Sequence, residues 1–205
     1  MTLRQLAFFL PALAVALVAV PEAAAATKTE CSKRGAVVEQ TRYVRVFSVG
    51  PRFYACRFGS KRRMFLGKTV QSRSHIEDVR EIELRRHLVA FQHLACRPSS
   101  KPPGGCYRNQ VRVVQPGRLR TRARYPLGRG GLVGHLVLRS DGAFAFTLRR
   151  VLDVDDQRYE YSVRRHDSRG RRVLDRSPEP ITGLRLVRGG VAWNSDDKAR
   201  RAPLR

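Results

Sequence analysis

Beyond residue 20 the chain has no apolar run approaching the ~20 residues that a membrane-spanning helix needs. It has no C-x-x-C pair, no G-x-S-x-G, no H-E-x-x-H and no phosphate-binding glycine loop. The short signatures of dithiol redox centres, α/β-hydrolases, zinc proteases and P-loop enzymes are therefore absent. Lysine is scarce: only six of the 41 basic residues are Lys (28, 33, 61, 68, 101 and 198), and the rest are arginine. Acidic residues are too few to balance them, and the net charge is +24. Such a balance fits a surface for polyanions; codon bias in a GC-rich genome and solubility outside the cell account for it equally well.

What is present begins with an export signal. Arg4 supplies a short positive region, Leu6–Val20 is apolar apart from Pro11, and Ala23–Ala26 offers small residues for a signal peptidase. We assign residues 1–26 as a signal peptide and 27–205 as a single domain, long enough to bury a core of its own. An uncleaved anchor and a lipoprotein are the alternatives. The segment KTE before Cys31 lacks the small apolar residues of a lipoprotein signal.

All four cysteines, Cys31, Cys56, Cys96 and Cys106, follow this segment. An even count in an exported chain suggests two disulfides, with three possible connectivities. Cys96 and Cys106 flank a Pro/Gly/Ser stretch that can bring them together, which leaves Cys31 to pair with Cys56. Nothing places histidines with these cysteines for a zinc site.

Turn signals recur along the chain: SVGPR, SSKPPGG, QPGR, RSDG, DSRG and VRGG. Between them the apolar pattern alternates with the period of two that marks half-buried strands, most clearly in QRYEYSVRR. RLRTRARY alternates too, and places Arg118, Arg120, Arg122 and Arg124 on one face of one strand about 7 Å apart. Ile76, Val79, Ile82 and Leu84 also fit an amphipathic helix. A shared pattern assigns them to strand instead, at least in the second half.

That pattern is threefold. Ile82-x-Leu84 precedes Val89-Ala90-Phe91, Leu136-x-Leu138 precedes Phe144-Ala145-Phe146, and Leu184-x-Leu186 precedes Val191-Ala192-Trp193. The first and third copies match without a gap from Val79 and Ile181 onward. The closing aromatics recur about every fifty residues, the period of stacked supersecondary units. YACRFGSKRRMFL and YSVRRHDSRGRRVL add a second shared hairpin. Together these give a four-stranded antiparallel unit of the propeller-blade kind. LVLRSDGAFAF resembles the S-D-G-x-x-A-F blade motif of bacterial TolB-type β-propellers, carried by Ser140, Asp141 and Gly142. The whole mature chain resembles small exported actinobacterial proteins with degenerate blades. This resemblance implies an all-β, propeller-like fold of about four blades, roughly three and a half of them legible. KARRAPL is expected to pair with strands near YVRVFSV and complete the last. A two-sheet β-sandwich is the alternative.

No specific catalytic constellation emerges. His87 and His93 fall on one face of an extended strand, where they could share a metal. His75, Glu77 and Asp78 could supply an acid and a base without an evident nucleophile. Asp153, Asp155 and Asp156 start like a calcium loop but lack its glycine and its closing glutamate. Neither a cofactor nor a metal is assigned. The reading is a non-enzymatic binding or scaffolding module of the cell envelope. Its partner is an anionic envelope polymer or protein, with nucleic acid bound only non-specifically and no integral membrane segment after cleavage. Arg118, Arg120, Arg122 and Arg124 are the candidate contact residues, although charge on an outer strand also prevents edge-to-edge pairing. The runner-up is a hydrolase-type enzyme with its site in the loops at one end of the blades.

Cleavage after Ala26 predicts a mature N-terminus at Thr27. N-terminal sequencing of protein recovered from the culture medium should read Thr-Lys-Thr-Glu; an intact Met1 would identify an anchor instead.

Overall fold

Period-two alternation becomes strand throughout the computed structural model, which describes residues 31, 35–97, 105–128, 130–153 and 155–205. The expected signal peptide lies outside these residues. Sixteen strands and no α-helix occur among them. The first sheet is β1 (Ala36–Gln40), β2 (Val44–Val49), β3 (Arg52–Arg57) and β4 (Arg63–Lys68). The second is β5 (Val70–Gln71), β6 (Ile76–Arg85), β7 (Leu88–Arg97), β8 (Gly105–Gln115) and β9 (Arg120–Pro126). The third is β10 (Gly131–Leu138), β11 (Phe144–Asp153), β12 (Arg158–Asp167) and β13 (Gly170–Ser177). The fourth is β14 (Thr182–Val187), β15 (Gly190–Ser195) and β16 (Lys198–Pro203). Every sheet is an antiparallel meander in chain order, and none closes on itself.

The sheets pack face to face in sequence order. Val44, Val46 and Leu66 of the first meet Val79, Leu84, Val89 and Phe91 of the second. Leu88, Ala90, Val111, Val113 and Tyr125 of the second meet Leu136, Leu138, Phe144 and Phe146 of the third. Ala143, Ala145 and Val163 on the other side of the third meet Leu184, Val191 and Trp193 of the fourth. Successive side chains in a strand point to opposite faces, so β7 sends Val89 and Phe91 one way and Leu88 and Ala90 the other. Both faces are dry. This is why LVAFQHLAC reads as a nearly unbroken apolar run rather than an alternating one.

Gln92 and Asn109 are polar members of this core, and both are buried. The Gln92 amide donates to Asn109 Oδ1 at 2.9 Å and to the Gly131 carbonyl at 3.2 Å. The Asn109 amide donates to the carbonyls of Gly128 at 3.1 Å and Gly131 at 2.7 Å. Gln92 Oε1 accepts the Val133 N–H at 3.2 Å. The network fastens the start of β10 to the second sheet and leaves no polar atom of the two amides without a partner.

One strand near the start of each sheet, β1, β6, β10 and β14, carries one extra residue opposite its neighbour. The register shifts fall at Val37/Glu39, Arg80/Glu83, Val133/Leu136 and Thr182/Arg185. Two of the bulges contain a residue with positive φ, Glu81 at 47° and Gly183 at 64°. A bulge reverses which face the following residues occupy. Val79, Ile82 and Leu84 therefore all reach the same apolar cluster despite their three-residue first step. Val133, Leu136 and Leu138 do the same in the next interface. The spacing that mimics a helix in β6 is the footprint of a bulged strand.

The three aligned segments are all hairpins. Leu84 lies opposite Val89, Leu138 opposite Phe144 and Leu186 opposite Val191. Phe91, Phe146 and Trp193 are buried, as are Leu84 and Leu138; Leu186 is half-buried. Gly142 takes φ 100° in the Ser140–Gly142 turn, and Asp141 Oδ1 accepts the Ala143 N–H at 2.9 Å. The expected pairing of the C-terminal segment with YVRVFSV does not occur. β2 is already paired on both sides, by β1 and β3, and β16 pairs with β15. The last residues instead dock on the third sheet. Leu204 is fully buried, Arg205 N–H donates to Asp167 at 3.1 Å, and Arg139 and Arg165 donate to the carbonyls of Leu204 and Pro203.

Both disulfides form as expected, Cys31–Cys56 and Cys96–Cys106. Cys96 and Cys106 face each other across β7 and β8. Cys31 is anchored further by Arg45, which donates to its carbonyl at 2.9 Å and lies over the Phe47 ring at 5.6 Å. All four cysteines are consumed, so none is free to bind zinc.

Trp193 joins the third and fourth sheets. Its indole N–H donates to the buried Asp175 carboxylate at 2.7 Å, which also accepts from Arg200 Nε at 3.3 Å. Trp193→Ala should cost about 3–5 kcal/mol, the usual range for a buried large aromatic. Trp193→Phe should cost about 1–3 kcal/mol by leaving one acceptor bond of Asp175 unmade. Chemical denaturation of the oxidised protein measures both.

Candidate anion-binding surface

Each sheet ends on a strand that carries exposed basic residues. The last strands carry exposed Arg63; Arg120, Arg122 and Arg124; Arg171, Arg172 and Arg176; and Lys198, Arg200 and Arg201. An edge strand presents unpaired backbone groups, and charge there repels a second edge. The same placement lines up guanidinium groups that are free to meet an anion.

The expected one-faced ladder is divided by the structure. Arg118 is not in the strand: it closes the 3-10 turn Pro116–Arg118, and Leu119 follows with φ 49°. Within β9, Ala123 pairs with Val113 and Thr121 with Val114, so Arg122 is an unpaired bulge residue. Directly opposed residues share a face. Arg124 thus shares the face of Arg112, towards the first sheet, while Arg120 sits opposite Gln115 on the other side. Arg122 borders a different cleft with Asp141, His166, Asp167 and Arg205. Alternation in the sequence cannot reveal this, because one unpaired residue inverts the phase of everything beyond it.

The bulge brings Arg124 to two arginines that the sequence reading did not single out. Arg108, Gln110, Arg112 and Arg124 line an open cleft of about 360 Å³ on β8 and β9. Arg112 and Arg124 are direct cross-strand partners. The Arg112 guanidinium lies 5.4 Å from the Phe91 ring centre and donates to Thr121 Oγ1 at 3.2 Å, while its buried Nε has no partner. Burial, then the charges of Arg124 and Arg108, pull the Arg112 pKa below its ordinary value. Among the described residues none of the three arginines has a carboxylate partner. Residues 98–104, beside this strand pair in sequence, contain no Asp or Glu. The signal was present in RNQVR, where Arg108, Gln110 and Arg112 alternate against apolar Val111 and Val113.

The histidines part company. His87 is in a turn and packs on Tyr43, with ring centres 4.5 Å apart. His93 is buried in β7, six strand steps or about 20 Å along the chain. They cannot share a metal. Glu77 instead bridges two imidazoles, meeting His93 Nε2 at 3.2 Å and His75 Nε2 at 3.4 Å. Asp78 accepts from Thr69 Oγ1 at 2.8 Å and pairs with Arg80. The Asp153 carboxylate accepts the N–H groups of Asp155 at 2.9 Å and Asp156 at 3.3 Å, holding a turn. No group of three or more His, Cys, Asp or Glu suited to a metal occurs among the described residues.

A second cleft, of about 380 Å³, forms where the bulges of β6 and β10 meet. Arg80, Glu81, His135, Arg149 and Tyr161 line it. Burial raises the Glu81 pKa, opposed by His135 and Arg80. Neither Glu81 nor His135 makes a side-chain hydrogen bond among the described residues; only the His135 backbone N–H is engaged, by Thr147 Oγ1 at 2.9 Å.

The Glu77–His93 contact sets an acid response. Gly67 brings the first sheet so close that a Cβ there would lie 3.3 Å from the His93 ring. This burial lowers the His93 pKa, against the pull of Glu77 and with the help of Arg112 and Arg108. Burial and Arg171 lower His166 likewise, opposed by Asp167. The unfolded chain therefore takes up protons first as pH falls. Stability is complete above about pH 6.5 and declines as pH drops below it. Burial raises Glu77, but bonds from His93, His75 and the Lys68 N–H outweigh it and leave its pKa lowered, which adds a further loss in the carboxylate range. His93→Gln should flatten the decline between about pH 7 and pH 5, read from urea unfolding midpoints.

No family model, curated protein or solved structure matches this chain.

Proposed function

We propose that this protein is an exported, non-enzymatic binding or scaffolding module of the cell envelope. It holds an anionic partner on an arginine-rich surface, and its four sheets serve as the blades of a propeller-like assembly. One observation carries the binding role: the last strand of every sheet presents exposed basic side chains, Arg63 alone on β4 and three each on β9, β13 and β16, and few of them have acidic partners. The blade reading is supported by the meander order, by the bulge that recurs in β1, β6, β10 and β14, and by the succession of contacts from β1 to β6, β10 and β14. Two disulfides and the apolar N-terminal segment fit an oxidising compartment outside the cytoplasm. A hydrolytic role has one observation in its favour, the Glu81–His135 cleft, which gathers titratable groups without an aligned nucleophile.

Binding of DNA or of a teichoic-acid-like polymer should weaken steeply with salt, because each neutralised phosphate releases counterions. It should show no preference for base sequence. Replacing Arg118, Arg120, Arg122 and Arg124 together by Ser should reduce the affinity and make the salt slope shallower, by up to about 3–4 for duplex DNA. Unchanged affinity, accompanied by new aggregation, would reduce these arginines to edge protection.

A further inference from the structure

We infer that the cleft of Arg108, Gln110, Arg112 and Arg124 is a discrete site for a phosphate group. The inference rests on the anion-binding reading and gives it one address. Three guanidinium groups converge on one sheet face without a carboxylate among the described residues. Like charges placed directly opposite each other across two strands destabilise the pair. Arg112 and Arg124 are such a pair, and Arg112, being half-buried, is screened less by solvent than exposed Arg124. The charges that act on Arg112 are those of Arg124 and Arg108, both positive, while Glu77 is engaged by two imidazoles and the Lys68 N–H.

The remaining hydrogen-bond capacity points the same way. Arg112 is fixed by its contact with Phe91 and its bond to Thr121, yet its Nε stays buried and unmatched. Arg108 and Arg124 are exposed and make no side-chain hydrogen bond among the described residues. The backbone beneath Arg124 is held, because its carbonyl accepts from Arg171 at 2.8 Å. A tetrahedral oxyanion would relieve the mutual repulsion and accept from several planar forks at once. The cleft is larger than a lone phosphate and leaves room for the ester carbon chain attached to it.

The test is calorimetric titration of the folded, disulfide-bonded protein with inorganic phosphate at constant pH and ionic strength. We expect one saturable site. A glycerophosphodiester oligomer is the second probe: tighter binding than phosphate marks a polymer's phosphodiester as the natural group, and weaker binding marks free phosphate or a monoester. Arg124→Gln and Arg108→Gln alter exposed residues and should fold normally. Each should weaken phosphate binding at least about tenfold, as loss of a charge-assisted bond requires. Without phosphate, Arg124→Gln should raise the melting temperature, which a merely structural arginine would not do. The inference is overturned if chloride at matched ionic strength competes as well as phosphate, or if Arg124→Gln leaves phosphate affinity unchanged. The double variant R120S/R122S separates the two readings. It should retain phosphate binding while losing polymer affinity, so failure of the broad basic surface and failure of this cleft give different results.

Discussion

The apolar contact between successive sheets is the constraint on which everything else depends. The second and third sheets must satisfy a neighbour on each face, and β7 is accordingly buried along almost its whole length and β11 through Phe144–Leu148. Division of labour follows from the pleat. In β11, Phe144 and Phe146 fill the interface with the second sheet, while Ala143, just before the strand, and Ala145 let the fourth sheet approach closely. The small residues are as necessary as the large ones, because core space is filled to near-crystalline density. The polar groups that cross between sheets are hydrogen-bonded there, as in the Gln92–Asn109 network and the Trp193–Asp175 pair.

The same constraint explains the bulges. A strand such as β6 that must turn Val79, Ile82 and Leu84 to one partner cannot do so at strict alternation, since residues three apart lie on opposite faces. One extra residue corrects the phase and adds local twist. The left-handed backbone of Glu81 is a conformation that L-residues adopt at some cost. The bulges also decide where clefts open, because they displace backbone beside the packed faces. The Glu81–His135 cleft lies at one such meeting point, and the bulge at Arg122 delivers Arg124 to Arg112.

Charge is arranged around this core rather than through it. Buried arginines are held by hydrogen bonds: Arg45 reaches the carbonyls of Cys31 and Gly35, Arg165 reaches Pro203 beside Asp167, and Arg164 donates to Ser162 Oγ. Burial of a guanidinium is tolerable only with such partners. Arg112 is the departure, half-buried between two cationic neighbours. Exposed arginines on the terminal strands set repulsion between edges, which disfavours pairing of separate molecules.

Much of the architecture was legible in the chain. The hairpins of Leu84/Val89, Leu138/Phe144 and Leu186/Val191 could be placed from apolar spacing and turn residues, because both are local properties of the backbone. The disulfides followed from an even count and a short closing loop. What lay between residues distant in sequence was not legible. Glu77 meets His93 through strand pairing, His87 packs against Tyr43 just before β2, and the C-terminal segment pairs with β15 and docks its last residues on the third sheet rather than meeting β2. The arginine ladder shows the boundary most clearly. Sequence alone determined that arginines alternate through residues 118–124; the tertiary structure decided which of them share a face, because register across β8 and β9 admits an unpaired residue that no pattern within one strand records.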